Sequence, residues 1–291
     1  MPDVRLEISG GDTTVHYDLD GTGPGLVLVH GTAATREQWL PLTDAVKDRF
    51  TVVAPDYSGS GLTADHGGPL TLADLADEIV AAATDAGLGS FHLVGHSLGA
   101  AIATYIAGTH SGRVRSLVLH AGWVHTDTKM DAELMFWREL LQAGTGLFAR
   151  MLPLAALGPK YWGATDPAAN EALIAELAAN IAPGTQRQIE VDRAVDLRHL
   201  LGRITAPTLV LASAHDRIID PAQQKALLSG IAGARYAELD AGHGAHAEDP
   251  ESFFAAITEF LDQHRNARTD RGRRCGSRRT GRVPSRVRGG G

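Results

Sequence analysis

Cysteine is almost absent from this 291-residue chain, whose one cysteine is Cys275. A single cysteine excludes an intramolecular disulfide and excludes metal sites built from several cysteine thiolates. The 13 histidines show no spacing typical of zinc ligands. We therefore predict that the protein uses neither a metal nor a cofactor.

Long apolar runs are also missing. No run approaches the roughly 18 residues that a membrane-spanning helix needs. The first eight residues alternate charged and apolar side chains, and they have neither the basic start nor the apolar core of a signal peptide. We therefore expect a soluble, cytoplasmic protein without a membrane partner.

Positive charge is scarce outside the last part of the chain. The net charge is −7, and residues 265–291 contain ten arginines and one acidic residue, so their charge of +9 leaves −16 for residues 1–264. An acidic body argues against nucleic-acid binding by the main domain. The arginine-rich segment lacks apolar periodicity, which predicts a basic disordered tail, either a solvated extension or a tether to an anionic surface.

Short apolar runs alternate with segments of helical periodicity along most of the chain. Residues 26–29 are continuously apolar, as expected for a strand buried on both faces of a parallel sheet, and residues 91–94 form another short run that is apolar except for His92. The pattern predicts an α/β fold with a mostly parallel central sheet and helices on both faces. It stops at residues 123–203, which are helical in character and rich in apolar side chains. We predict a core of residues 1–122 and 204–264, with 123–203 as a helical cap over the active site.

The sequence Gly-His-Ser-Leu-Gly at residues 95–99 stands between a predicted strand and an alanine-rich helical segment. A serine between two glycines at such a turn is typical of a nucleophile elbow, because the tight turn has no room for larger neighbours. A serine hydroxyl reacts well only if a base removes its proton, and an acid must orient that base. Ser97 therefore predicts a carboxylate and a histidine further along the chain.

Two residues follow in the required order, each just past a predicted strand: Asp216 and His243. Asp127, beyond an earlier strand, is an alternative acid. His246 is the alternative base, which we expect at a helix start or on the surface. The glycine before His243 and its spacing to Glu248 favour His243.

With the pair His30-Gly31 ahead of the serine, these motifs resemble the α/β-hydrolase superfamily over residues 4–264. The resemblance implies an oxyanion hole made of two backbone N–H groups, those of Leu98 and Thr32. Ala33 is the alternative to Thr32.

The resemblance also implies a cofactor-free serine hydrolase that cleaves a carboxylic ester, lactone or related acyl bond of a small hydrophobic substrate. A thioesterase or acyl-transfer enzyme of a biosynthetic pathway is the alternative on the same triad. A C–C hydrolase, a perhydrolase-like enzyme and a non-catalytic ligand receptor remain as further alternatives. His120, Trp123 and Trp137, near the start of the cap, are predicted to line the substrate pocket. The sequence carries no signal for an oligomeric state.

Overall fold

The computed structural model describes residues 2–267 of the chain. Within these residues eight strands form one sheet. In chain order the strands are β1 (Asp3–Ile8), β2 (Gly11–Gly21), β3 (Gly25–Val29), β4 (Thr51–Pro55), β5 (Phe91–His96), β6 (Val114–His120), β7 (Thr208–Ser213) and β8 (Arg235–Leu239). Their order across the sheet is β1-β2-β4-β3-β5-β6-β7-β8.

Most of the sheet is parallel. The first two strands form an antiparallel hairpin, and β2 also runs antiparallel to β4. All other neighbouring strands are parallel. Strands β3 and β5 lie near the centre and are buried along their whole length. The predicted fold class is confirmed.

Helices cover both faces of this sheet. In chain order they are α1 (Leu40–Val46), α2 (Leu72–Asp85), α3 (Leu98–Thr109), α4 (Thr128–Ala143), α5 (Thr145–Ala156), α6 (Pro159–Ala164), α7 (Pro167–Asn180), α8 (Thr185–Arg193), α9 (Pro221–Gly230), α10 (Ala245–Glu248) and α11 (Pro250–His264). Apolar residues of α2, α3 and α9 belong to one buried cluster. Those of α1 and α11 belong to a second cluster on the opposite face. The helical layers thus hold the sheet from both sides.

Five helices, α4 to α8, lie between β6 and β7, where the alternating pattern stops. We call residues 123–203 the cap segment; their division from the core as a separate domain stays a prediction. The sequence pattern predicts only three helical stretches here. It misses α6 because that helix has six residues, and α8 because most of its nine residues are polar.

One core helix was also missed by the sequence pattern. Helix α9 begins with a start signal, since Asp220 accepts a hydrogen bond from the Ala222 N–H and Pro221 occupies the first turn.

Apart from residues 265–267, the predicted basic tail lies outside the described residues. Within residues 2–267 no helix is long and apolar enough to cross a membrane.

Candidate active site

Ser97 stands at the turn from β5 into α3 with φ 54° and ψ −121°. A non-glycine residue at positive φ is strained, and here the turn is packed on both sides. A Cβ added at Gly95 would lie 2.1 Å from the Gly99 carbonyl oxygen, and one added at Gly99 would lie 2.2 Å from the Val29 carbonyl oxygen. Both glycines are therefore required by close approach of the backbone, as the sequence motif predicts. The turn presents Ser97 at the wall of a cavity.

His243 and Asp216 are hydrogen-bonded to each other. His243 Nδ1 lies 3.0 Å from Asp216 Oδ2 and 3.1 Å from Oδ1. Asp216 Oδ1 also accepts hydrogen bonds from the backbone N–H groups of Ile218 and Ile219, both at 2.9 Å. These N–H donors fix the carboxylate as an acceptor, so His243 Nδ1 carries the proton and donates. The other ring nitrogen of His243, Nε2, is left to interact with a group in the cavity.

The alternative acid, Asp127, has a structural position instead. It is the N-cap of α4, where Oδ1 accepts the Met130 N–H at 2.9 Å. The structure therefore brings Asp216, and not Asp127, to the histidine.

His246, the alternative base, lies in α10 and lines the same cavity as His243. Burial lowers its pKa to about 4. Its Nδ1 is buried without a hydrogen-bond partner within residues 2–267, so no carboxylate of this part of the chain orients the ring. The prediction that His246 lies at a helix start is confirmed, since it is the second residue of α10.

A buried pair of histidines lies beneath the elbow. His96 Nδ1 is 2.8 Å from His120 Nδ1, and the two rings are stacked at 4.9 Å. His120 Nε2 is 3.1 Å from the Ser213 hydroxyl. Burial lowers the pKa of both histidines well below the ordinary value, so both are neutral.

This pair corrects the prediction for His120. The residue ends β6 directly opposite His96 of β5, and its side chain is fully buried. It therefore packs below the serine, whereas His96 reaches the cavity wall.

The loop that follows β3, residues 30–34, lies beside the elbow. His30 stacks on Tyr57 with ring centroids 4.1 Å apart, and burial lowers the pKa of His30 to about 4. The Tyr57 hydroxyl donates to the carbonyl groups of His30 and Gly31, at 3.2 and 2.9 Å. We call residues 30–34 the β3 loop; Tyr57 holds it from the core side.

Both predicted oxyanion donors border the serine. Thr32 lines the cavity, and Leu98 is the first residue of α3, where backbone N–H groups have no partner within the helix. The N–H of Ala33, the alternative donor, already donates to Gln188 Oε1 at 3.1 Å. This bond leaves Thr32 as the candidate from the β3 loop.

The cavity has a volume of about 200 Å³ and mostly apolar walls. Side chains from the cap segment and from the loop after β7 form much of it: Trp137, Leu152, Leu157, Leu173, Leu177 and Ile218. Trp137 is thus placed where the sequence predicts. Trp123 is not: it is buried in the core cluster, and its indole N–H donates to the Thr126 hydroxyl at 3.0 Å.

Glu248 connects the loop that carries His243 to the cap segment. Its Oε2 accepts hydrogen bonds from the N–H groups of Gly242 and Gly158, both at 2.7 Å. Its Oε1 accepts from the N–H groups of Lys160 and Tyr161, at 3.1 and 3.3 Å. One carboxylate therefore joins the backbone beside His243 to the start of α6.

Sequence reasoning missed the polar side chains that α8 extends to the β3 loop, Gln188 and Asp192. Their spacing of four residues places them on one helix face, and this was the available signal. No group of three or more His, Cys, Asp or Glu side chains within residues 2–267 is arranged to hold a metal ion.

The chain matches the model of the alpha/beta hydrolase family over residues 26–257. It is 37% identical over 258 residues to pyrrolizixenacetamide deacetylase from Xenorhabdus hominickii, covering 88% of this chain and 97% of that protein. A thermophilic esterase from Thermogutta terrifontis has a similar structure, with a TM-score of 0.80 and 25% identity over 91% of this chain and all of the esterase. A hydrolase from Pseudomonas aeruginosa PA01 gives a TM-score of 0.77 and 28% identity over 89% of this chain and 98% of its own. This chain belongs to the alpha/beta hydrolase family and is a hydrolase.

Proposed function

We propose that this protein is a serine hydrolase in which Ser97, His243 and Asp216 form a catalytic triad. The observation that carries the proposal is one cavity with Ser97 and His243 in its wall, while Asp216 holds His243 by Nδ1. That hydrogen bond leaves His243 Nε2 free to take a proton, which is the role of the base in such triads.

In this mechanism His243 Nε2 removes the proton of Ser97 as Oγ attacks an acyl carbonyl carbon. The developing oxyanion accepts hydrogen bonds from the backbone N–H groups of Leu98 and Thr32, each worth about 3 kcal/mol. His243 returns the proton to the leaving group, which departs and leaves the acyl group on Ser97. Water, activated by the same histidine, then releases the carboxylic acid. All steps use groups of the chain and water, so no cofactor is needed.

The cavity supports a small hydrophobic substrate. Its volume of about 200 Å³ lies below the roughly 300–1,000 Å³ of sites for drug-sized ligands. Because its walls are mostly apolar, polar recognition is concentrated at the reacting carbonyl. An ester or lactone with a short acyl group fits this description.

Deacylation of an amide is the second candidate. It is favoured by the relative at 37% identity, whose name describes a deacetylase of an acetamide. An amide leaving group departs only after its nitrogen receives a proton. His243 would supply that proton, so the same triad serves both reactions.

A labelling experiment tests the nucleophile. We expect a fluorophosphonate probe to label the wild-type protein at Ser97 and to leave Ser97→Ala unlabelled. Equal labelling of the two proteins, or no labelling of the wild type, contradicts the proposal.

A matched substrate pair separates the two candidates. Hydrolysis of p-nitrophenyl acetate and of p-nitroacetanilide is compared at equal concentrations, with an acetylated carrier protein as a third substrate. Turnover of the anilide within about a hundredfold of the ester favours the deacylase. Preference for the carrier thioester favours a thioesterase instead.

A further inference from the structure

Helix α8 of the cap segment makes polar contacts with the β3 loop. The Thr32 hydroxyl donates to Asp192 Oδ2 at 2.8 Å. The Ala33 N–H donates to Gln188 Oε1 at 3.1 Å, and Gln188 Nε2 in turn donates to the Ser58 carbonyl at 3.4 Å. Two side chains of one helix face thus hold two successive residues of the loop.

The helix is itself seated firmly against the core. At its start, a Cβ on Gly184 would lie 2.1 Å from Gly59 Cα, so the two backbones are in direct contact. At its end, the hydroxyl of Thr126, a residue of the cap segment, donates to the Asp192 carbonyl at 2.5 Å. The contact with Gly59 therefore fixes the start of α8 on the core, and the Thr126 hydrogen bond fixes its end within the cap segment.

The two sides of the β3 loop are therefore held differently. Tyr57 binds its carbonyl groups from the core, and α8 binds the Thr32 hydroxyl and the Ala33 N–H from the cap. Ala33 has φ 60°, a conformation that a non-glycine residue keeps only when its surroundings enforce it. The Gln188 hydrogen bond is one such constraint.

We propose that Gln188 and Asp192 are positioning residues that fix the β3 loop so that the Thr32 N–H, and not the Ala33 N–H, faces the oxyanion. This inference rests on the proposed serine mechanism. The cap segment then sets the catalytic geometry as well as the shape of the cavity. Small displacements of such donors lower the rate, because their benefit depends on alignment with the charge of the transition state.

Asp192 also gives this contact a pH dependence. Burial raises its pKa to about 8, and the Thr32 hydroxyl opposes that rise only in part. Tyr57 faces it from the core with a pKa raised well above the ordinary value, so it stays neutral. Arg193, the neighbouring cation on α8, is paired with Asp131 of α4 at 2.7 Å.

Ionisation therefore places an unbalanced negative charge beside the β3 loop. Asp192 Oδ1 is buried and has no hydrogen-bond partner within residues 2–267, which further disfavours the charged form. Above pH 8 the charge opposes development of the oxyanion, so kcat should fall there.

The test compares Asp192→Ala, Asp192→Asn and Gln188→Ala with Glu190→Ala, an exposed position on the same helix. With p-nitrophenyl acetate at pH 7, we expect kcat of the two alanine variants at Asp192 and Gln188 to fall about 10-fold to 100-fold, while KM changes less than about threefold. Asp192→Asn retains a hydrogen-bond acceptor for Thr32, so it should keep most of the activity and lose the decline above pH 8. Glu190→Ala should match the wild type.

Hydrogen–deuterium exchange gives a readout that does not depend on activity. Amide exchange in residues 30–34 should become faster in Asp192→Ala and Gln188→Ala than in Glu190→Ala, while strand β5 stays protected. Unchanged exchange in this loop, or a decline above pH 8 that persists in Asp192→Asn, overturns the inference. If the fluorophosphonate probe does not label Ser97 in the wild type, the proposed function is contradicted. The exchange experiment would then still show whether Gln188 and Asp192 hold the β3 loop.

Discussion

The sheet edge and the cap segment contribute to one cavity in different ways. Ser97, Asp216 and His243 each follow a strand, so the backbone of the sheet fixes where they stand. The cap segment adds apolar walls and hydrogen bonds between residues far apart in the chain, such as Thr32 with Asp192 and Gly158 with Glu248. In the proposed mechanism the sheet thus places the reactive groups, while the packing of the cap segment sets their alignment and the selectivity for substrate.

The largest effect is expected at the sheet edge, where His243 and His246 line the same cavity and only one of them is the proposed base. Removal of the proposed base in His243→Ala should lower kcat/KM for p-nitrophenyl acetate by about 10³–10⁴-fold. His246→Ala should retain activity within about tenfold, because no carboxylate within residues 2–267 orients that ring. The opposite ranking of the two variants would show that His246 is the base.

The second prediction concerns the contribution of Glu78, a buried residue of α2, to the stability of the core. It accepts hydrogen bonds from the N–H and hydroxyl of Ser58, and burial raises its pKa from 4.5 to about 7. The folded state therefore holds this proton more tightly than the unfolded state. Stability from Glu78 is fully present below about pH 4.5 and is lost as the pH rises to 7, about 3 kcal/mol in total.

Urea unfolding at pH 5 and pH 8 measures this loss. Relative to wild type, Glu78→Gln should become more stable by about 2.5 kcal/mol on going from pH 5 to pH 8, since glutamine does not ionise. Glu7→Gln, on the exposed face of β1, serves as the control. The same pH dependence in wild type and Glu78→Gln would contradict the assignment.

The third prediction concerns Glu248, which connects the loop that carries His243 to the cap segment. Glu248→Ala removes the acceptor of four backbone N–H groups, so we expect the free energy of unfolding to fall by about 2 kcal/mol. Activity should fall by about tenfold as well, because the loop that carries His243 loses its tie to α6. Urea unfolding and steady-state kinetics measure the two effects. Glu251→Ala, an exposed change at the start of α11, should alter neither.

The smallest effect concerns the cap walls alone. Leu177→Ala enlarges the cavity, and we expect it to shift the kcat/KM ratio of butyrate to acetate esters by about tenfold towards butyrate. Leu154→Ala, on the exposed side of α5, should leave the ratio unchanged. A shift in both variants would mean that the cap acts through its stability and not through the wall of the cavity.

Local patterns predicted much of the core. The glycines beside Ser97 follow from the tight turn, and strands β3 and β5 follow from short, mostly apolar runs. His120 and Trp123 were misplaced because a pattern shows that a residue follows a strand but not which side of the sheet it faces. Helix α6 has too few residues for a clear period, and α8 has too few apolar residues to show one.

The sequence by itself determined the family, the parallel sheet and the order of Ser97, Asp216 and His243, because these depend on local spacing and on backbone constraints at single turns. Only the tertiary structure decided three sets of hydrogen bonds. The Ala33 N–H donates to Gln188, the Thr32 hydroxyl donates to Asp192, and Glu248 accepts from the backbone both beside His243 and at the start of α6. The contacts of Gln188 and Asp192 with the β3 loop link residues at least 155 apart in the chain, and those of Glu248 with the start of α6 link residues at least 87 apart. Such contacts exist only after the cap has packed onto the sheet, so no local pattern encodes them.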